Sequence, residues 1–366
     1  MEKRDPFVHA TFEVLHGMPE IAYEETRTSA YLAEQLESMG YAVTRNIGTT
    51  GVMGVLDSGK PGPHFGLRAD IDALRFEIDG KIRDIHACGH DANSAMVLAA
   101  AKRASEKGIA RGKLYIVFQQ AEERLGAPKM IESGKLGDIR EIVAIHLRPV
   151  QEAVLGQATP ALRHGATHFA FFEVIGHPAH SARPHLGINA VDAAASIVAA
   201  INAIHEDPAV PHSIKCTQIA SVGNGINTIP DRVRLTVDMR AQNNEVADSL
   251  IAKLEKVARG TAALYGASVE GPKYEGTPAA DYDDDLVDLG SRAIEAVLGS
   301  VIPCIRTVGG DDFHYFSTAG GMKTAYIGLG ANVTEGLHHP EMSFDHAALD
   351  HGADILEKLV ELRLNS

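Results

Sequence analysis

Between residues 165 and 275 the chain changes its pattern, and that change constrains the fold more than any other feature. On the N-terminal side, helical periodicity alternates with short apolar runs. "DPFVHATFEVLHGMPE" and "ETRTSAYLAEQLESMG" have helical spacing, and the second stops at Gly40. "HFGLRADIDAL", "KLYIVFQQAEE" and "EIVAIHLRP" read as strands, and "ANSAMVLAAAKRASEKG" as an alanine-rich helix. The middle reads instead as strand "THFAFFEVIG", helix "GINAVDAAASIVAAINAIHED", strands "KCTQIASVGN" and "DRVRLTVDMRA", then helix "EVADSLIAKLEKVARGTAALYG". This βαββα order predicts helices on one antiparallel sheet. After "YEGTPA" the earlier style returns, and the chain ends in the helix "LDHGADILEKLVELRLN". A chain of 366 residues is too long for one comfortable core. The expectation is an α/β domain of residues 1–164 and 276–366, interrupted by an inserted α+β domain over 165–275.

Charge and cysteine usage narrow the partners. A formal net charge of −14 argues against nucleic acid, which needs a dense basic face. No apolar stretch approaches the ~18 residues of a membrane span, and the charged N-terminus lacks the apolar core of a secretory signal. Cys88, Cys216 and Cys304 are few, odd in number and far apart, so no disulfide framework is expected and a reducing cytoplasm fits.

In open α/β sheets ligands gather at the carboxyl ends of strands, where Asp70, Glu122, Glu123 and His146 stand. In "IHACGHDAN" a thiol and an imidazole, Cys88 and His90, flank a glycine that permits a sharp turn. That pair favours zinc or a similar borderline metal. The plainer alternative is a small buried cysteine beside a surface histidine. Asp70, Asp72 and Asp91 are candidates to orient the ligands, although aspartates also commonly begin turns. "QAEE" places two carboxylates after a strand. Adjacent residues point in different directions, so Glu123 is the candidate ligand and Glu122 the candidate base for a water and a leaving amine; a merely charged loop is the alternative. His146 leaves an apolar strand, either as a ligand or as a satisfied core histidine. "GLHHPEMSFD" offers His338 as a ligand, with His339 as its solvent-facing neighbour.

The motifs "HACGHD", "QAEE", "IHLRP", "HPAHSARPHLGIN", "NTIPD", "DMRA", "GGDDF" and "GLHHP" occur in this order over nearly the full length. In them the chain resembles the two-metal amidohydrolases that include aminoacylases, N-acyl-amino-acid amidohydrolases, auxin-conjugate hydrolases and carboxypeptidase-G-type peptidases. The resemblance implies a phosphorylase/hydrolase-like α/β metallopeptidase domain, with a mixed central sheet flanked by helices. It also implies an inserted α+β domain, βαββαβ-like, acting as lid and dimerisation surface. It implies two divalent ions, zinc or manganese, held by Cys88, His90, Glu123, His146 and His338, with Cys88 near or between them and Glu122 as general acid/base. His180 matches a lid histidine that steadies an oxyanion, often across a dimer, and His185 is a nearby competitor. Asn227 matches a lid asparagine near the substrate, and Arg240 an arginine that meets a substrate carboxylate. Each also has a plainer reading: His180 as a turn cap, Asn227 as a turn former before Pro230, Arg240 as a solvated strand end. The implied reaction is hydrolysis of an N-acyl amino acid or dipeptide-like amide by a cytoplasmic homodimer.

The chain departs from the family pattern in places. Asn93 stands where a histidine is frequent, Gln120 where proline is common and Asp311 where glutamate is usual. The connection from "DIDAL" to "HACGHD" is shorter than usual, which implies a more open cleft or a different acyl specificity. Three rival readings share these residues: a dipeptidase or aromatic-amine hydrolase on the same site, an inactive metal-binding homologue, and a hydrolase using Cys88 as nucleophile beside a histidine.

Overall fold

Residues 114–118, an unbroken apolar run, are all buried in the strand Lys113–Gln119. A continuous apolar run, unlike an alternating one, suits a strand covered on both faces. Residues 142–147 repeat this within Glu141–Pro149, with His146 embedded among them. Both strands lie in a seven-stranded sheet of spatial order Ala42–Ile47, Gly51–Asp57, Lys113–Gln119, His64–Asp70, Glu141–Pro149, Lys323–Val333 and Ala158–Thr159. The four strands from Lys113–Gln119 to Lys323–Val333 run parallel. The outer strands pair antiparallel, so the sheet is mixed. The computed structural model describes residues 5–222, 225–307 and 309–365.

Helices cover this sheet. In His90–Lys107, residues 92–101 are nearly all fully buried, which fits a helix that is apolar or small on every side. It packs against the helices Pro6–His16 and Ala347–Leu364. The result is a helix-flanked α/β unit built from the residues up to Arg163, Asp281–Arg306 and those from Asp311 onward.

Residues His164–Ala280, with Thr307–Gly310, form a second compact unit. Its main sheet has four antiparallel strands, in the order His212–Ser221, Arg232–Ala241, Ala166–Ile175 and Ser268–Thr277. Along Arg232–Ala241 the residues Val233, Leu235, Val237, Met239 and Ala241 are buried and their neighbours are not. This period of two places one face under the helices Ala190–Ile201 and Asn244–Leu264. Among the described residues no helix is long and apolar enough to cross a membrane.

One buried cation in the first unit had no sequence signal. Arg68 is fully buried in the strand His64–Asp70. Its Nη1 donates to Asp70 Oδ2 at 2.7 Å, its Nε donates to Gln119 Oε1 at 2.9 Å, and its Nη2 lies 3.5 Å from Asp312 Oδ1. Breaking a buried ion pair strands the remaining charge. Arg68→Met, which leaves the buried Asp70 carboxylate uncompensated, is expected to cost about 3–5 kcal/mol in urea unfolding at pH 7. A loss below about 1 kcal/mol would show that the carboxylate does not depend on it.

Candidate metal centre

The turn before the long helix makes the first half of the site. Gly89 has φ +85°, a left-handed conformation that glycine adopts without steric cost. The helix therefore begins at His90, two residues before the alanine-rich pattern, and both Cys88 and His90 are buried. His90 Nδ1 lies 3.0 Å from the Asp72 carbonyl oxygen and 3.1 Å from Asp72 Oδ1. A carbonyl only accepts, so Nδ1 carries the proton and donates. The Nε2 lone pair then faces inward, buried and without a hydrogen-bond partner. His146 repeats the device. Its Nδ1 donates to the Leu147 carbonyl at 2.7 Å, and its Nε2 lies 3.5 Å from Cys88 Sγ. Fixing one imidazole nitrogen so that the other is presented is the usual arrangement of a metal-binding histidine.

The glutamates come from the turn after Lys113–Gln119, in the short helix Glu122–Arg124. Asp72 Oδ2 accepts the Glu123 N–H at 3.1 Å, so one aspartate orients both His90 and the glutamate turn. His338 belongs to a loop tied back by its own N–H to the Ala87 carbonyl at 2.7 Å. It adopts φ +66°, and its Nε2 lies 3.0 Å from Glu123 Oε1.

Ligand atoms of Cys88, His90 and His146 lie within 4.8 Å of one another, as do those of Cys88, Glu123 and His338, and those of His90, Glu122 and Glu123. The first two groups contain all five residues expected as ligands, and Cys88 is common to both. A shared thiolate between two donor sets, with two histidine lone pairs already aimed, fits a pair of borderline divalent ions.

The Cys88 thiol and the Glu123 carboxylate together favour a positive charge beside them. Burial pushes the Cys88 thiol up, but the His90 and His146 imidazoles outweigh it and hold the thiol well below its usual range. Bonds to Cys88 and Glu123 raise His338 to about 10. Burial, then the Asp311, Glu123 and Asp312 carboxylates, push Glu122 well above the ordinary carboxylate range. A carboxyl raised in this way holds a proton more readily, as a group that hands one to a departing nitrogen must.

Some expected partners lie elsewhere. Asp91, a candidate to orient ligands, turns away: its Oδ2 is 2.7 Å from His16 Nδ1 and its Oδ1 accepts from the Ala92 N–H. Asp70 is committed to Arg68 and to the Asn93 amide at 3.0 Å, and its Oδ2 stays 3.8 Å from His90 Nε2. Asn93 thus fills the frequent histidine position by donating to Asp70. Asp311 accepts from the Tyr326 hydroxyl at 2.9 Å, and its ligand atoms group with those of Glu122 and Asp312.

His180, His185, Asn227 and Arg240 all lie in the second unit. His180 is exposed, pairs with Thr228 across two short strands, and accepts the Ala182 N–H on Nδ1 at 3.1 Å. That leaves its ring proton on Nε2. The Asn227 carbonyl accepts the Ser181 N–H at 2.9 Å, so Asn227 supports the His180 turn through its backbone. Arg240 forks onto Asp238, at 2.8 and 3.2 Å, and donates to Thr167 Oγ1 at 2.8 Å. His185 is exposed in the short helix Pro184–Leu186.

The model of the family described as peptidase family M20/M25/M40 matches residues 66–362. The chain is similar to N-acetyl-L-cysteine deacetylase of Bacillus subtilis, at 28% identity over 96% of this chain and 87% of that protein. It is similar to the N-acyl-L-amino acid amidohydrolase of Geobacillus stearothermophilus, at 30% identity over 77% of this chain and 80% of that one. The fold is that of the Bacillus subtilis YXEP protein, described as a dinuclear metal-binding peptidase of the M20 family. The TM-score is 0.79 at 24% identity, over 98% of each chain.

Proposed function

The chain belongs to peptidase family M20/M25/M40, and from that premise we propose that it hydrolyses the amide bond of N-acyl amino acids. In this reading Cys88, His90, Glu123, His146 and His338 would hold two divalent ions, zinc or manganese, with Cys88 near or between them. The observation that carries it is the pair of histidine Nε2 lone pairs, on His90 and His146, presented beside one buried thiol. Two relatives with names of this type, a deacetylase of N-acetyl-L-cysteine and an N-acyl-amino-acid amidohydrolase, support the substrate class.

Bound there, the ions supply Lewis acidity toward the scissile carbonyl and lower the pKa of water. Glu122 takes the proton from the attacking water and returns it to the departing nitrogen. His180 donates from Nε2 to the developing oxyanion, a fixed donor of the kind that contributes heavily to lowering such barriers. Arg240 meets the substrate carboxylate, Asn227 lies beside the substrate, and His185 competes with His180 for its role. The inserted domain expected over residues 165–275, which falls within the second compact unit, acts as lid and dimerisation surface. Its open edge strand, His212–Ser221, supports the homodimer, and three unpaired cysteines support a reducing cytoplasm.

A panel of N-acetyl and N-benzoyl amino acids against dipeptides, run on zinc- and manganese-loaded protein, tests the reading. The expected result is a kcat/KM for acyl amino acids well above that for dipeptides. A preference for dipeptides would replace the substrate class, and loaded protein inert toward both would replace the activity.

A further inference from the structure

The glutamate turn is held in a conformation that its own residues do not favour. Ala121 has φ +54° and Leu125 φ +58°, both left-handed and neither a glycine. Such backbone persists only where its surroundings hold it. Part of the closure is internal. The Gly126 N–H donates to the Ala121 carbonyl at 2.8 Å, and a Cβ at Gly126 would sit 1.8 Å from the Gln120 carbonyl oxygen.

The rest comes from one N-terminal segment nearly a hundred residues away. Glu25 is fully buried at the N-terminal end of the helix Thr26–Ser38. Its Oε1 accepts the Ala121 N–H at 2.7 Å, and its Oε2 accepts the Thr50 hydroxyl at 2.6 Å. The Tyr23 hydroxyl donates to the Arg124 carbonyl at 2.8 Å and to that of Leu125 at 3.1 Å. The Lys129 ammonium lies 3.8 Å from the Tyr23 ring centroid. Tyr23 and Glu25 therefore grip the turn at its two ends, with Glu122 and Glu123 between them. Neither belongs to a donor group of the candidate metal centre. A buried carboxylate with no cation against it is costly, and here its oxygens serve a backbone amide and a hydroxyl.

We propose that Glu25 and Tyr23 are positioning residues for the reaction: they clamp the Ala121–Gly126 turn so that the Glu122 carboxylate is aimed at the attacking water. The inference rests on the reading of Glu122 as general acid/base. Without the Glu25 bond, Ala121 relaxes toward negative φ, which re-aims the Cα–Cβ bond of the next residue. A misplacement of about 1 Å is enough to cost roughly a hundredfold in rate.

The test compares Glu25→Ala, Glu25→Gln, Tyr23→Phe and Glu122→Gln in the metal-loaded full chain. Its readouts are kcat, KM, metal content and urea unfolding. For Glu25→Ala, kcat is expected to fall about ten- to a hundredfold, with KM and metal content held near wild type. Glu25→Gln keeps an oxygen for the Ala121 N–H and recovers most of kcat. Tyr23→Phe, which removes one hydroxyl, gives a smaller fall in kcat at unchanged stability. In a Glu122→Gln background, Glu25→Ala adds no further loss, because both changes act through one group. Should Glu25→Ala fail to fold, Tyr23→Phe carries the decision. A wild-type kcat in Tyr23→Phe and Glu25→Ala, with Glu122→Gln inactive, overturns the clamp alone. Near-normal activity in Glu122→Gln overturns the general-base reading instead.

Discussion

Replacing Glu122 by glutamine is expected to lower kcat by about three to four orders of magnitude, while the protein keeps its fold and its metal. Glutamine has the same shape as glutamate, so the turn set by Ala121, Leu125 and Gly126 is unaltered. Glu122 stands among Asp311, Glu123 and Asp312, whose carboxylates together with burial disfavour its ionised form. Neutralising it relieves repulsion, so stability is expected to hold or to rise slightly. That sign separates a catalytic loss from an unfolding loss. Glu123, the proposed ligand, keeps its N–H on Asp72 and its ion pair with His338. Metal analysis, urea unfolding and steady-state kinetics on one preparation decide the matter. Activity within about tenfold of wild type would remove Glu122 from the proton transfers.

The second large effect is removal of the cations. Cys88 Sγ at 3.5 Å from His146 Nε2, with a thiol held well below its usual pKa, has the outline of a cysteine–histidine nucleophile pair as well as of a ligand set. Alkylation cannot tell the two apart, because a ligating thiol is blocked by the same reagent. Chelation can. Dialysis against a strong chelator is expected to leave below about a hundredth of the loaded rate, and zinc or manganese is expected to restore it. Unfolding should move with it, since ligands that bind only the folded chain stabilise that chain. His146→Ala, which leaves Cys88 and His90 without their third donor, should need far more metal for the same rate. Full activity after chelation, with loss only on alkylation, would assign the chemistry to the thiol.

Much of this centre was legible before any coordinates. A thiol and an imidazole around Gly89, two glutamates after an apolar strand, a histidine within another strand and a histidine in a Gly/Pro loop marked five donors and a base, and their ligand atoms fall into overlapping groups in the structure. Local pattern also gave the strand–helix alternation and the βαββα run, because periods of 2 and 3.6 are properties of contiguous residues. The supports around the site were less legible. Asp72 and Asp91 looked equivalent as candidates to orient ligands, yet Asp72 holds His90 and Glu123 while Asp91 bonds His16. Glu25 reaches Ala121 across 96 positions and Asp312 reaches Ala127 across 185. Arg68 within "HFGLRAD" gave no sign that it would be buried, since its partner Asp312 comes from the far end of the chain.

The sequence by itself determined which chemistry was present: thiol, imidazole and carboxylate in the order of a known enzyme family, on strands and turns whose periodicity is local. Only the tertiary structure decided which atom of each group is offered. An imidazole presents one nitrogen only when the other is engaged. For His90 the engaging oxygens belong to Asp72, eighteen positions back and brought alongside where the antiparallel strands Leu74–Ile78 and Lys81–Ile85 fold the chain back on itself.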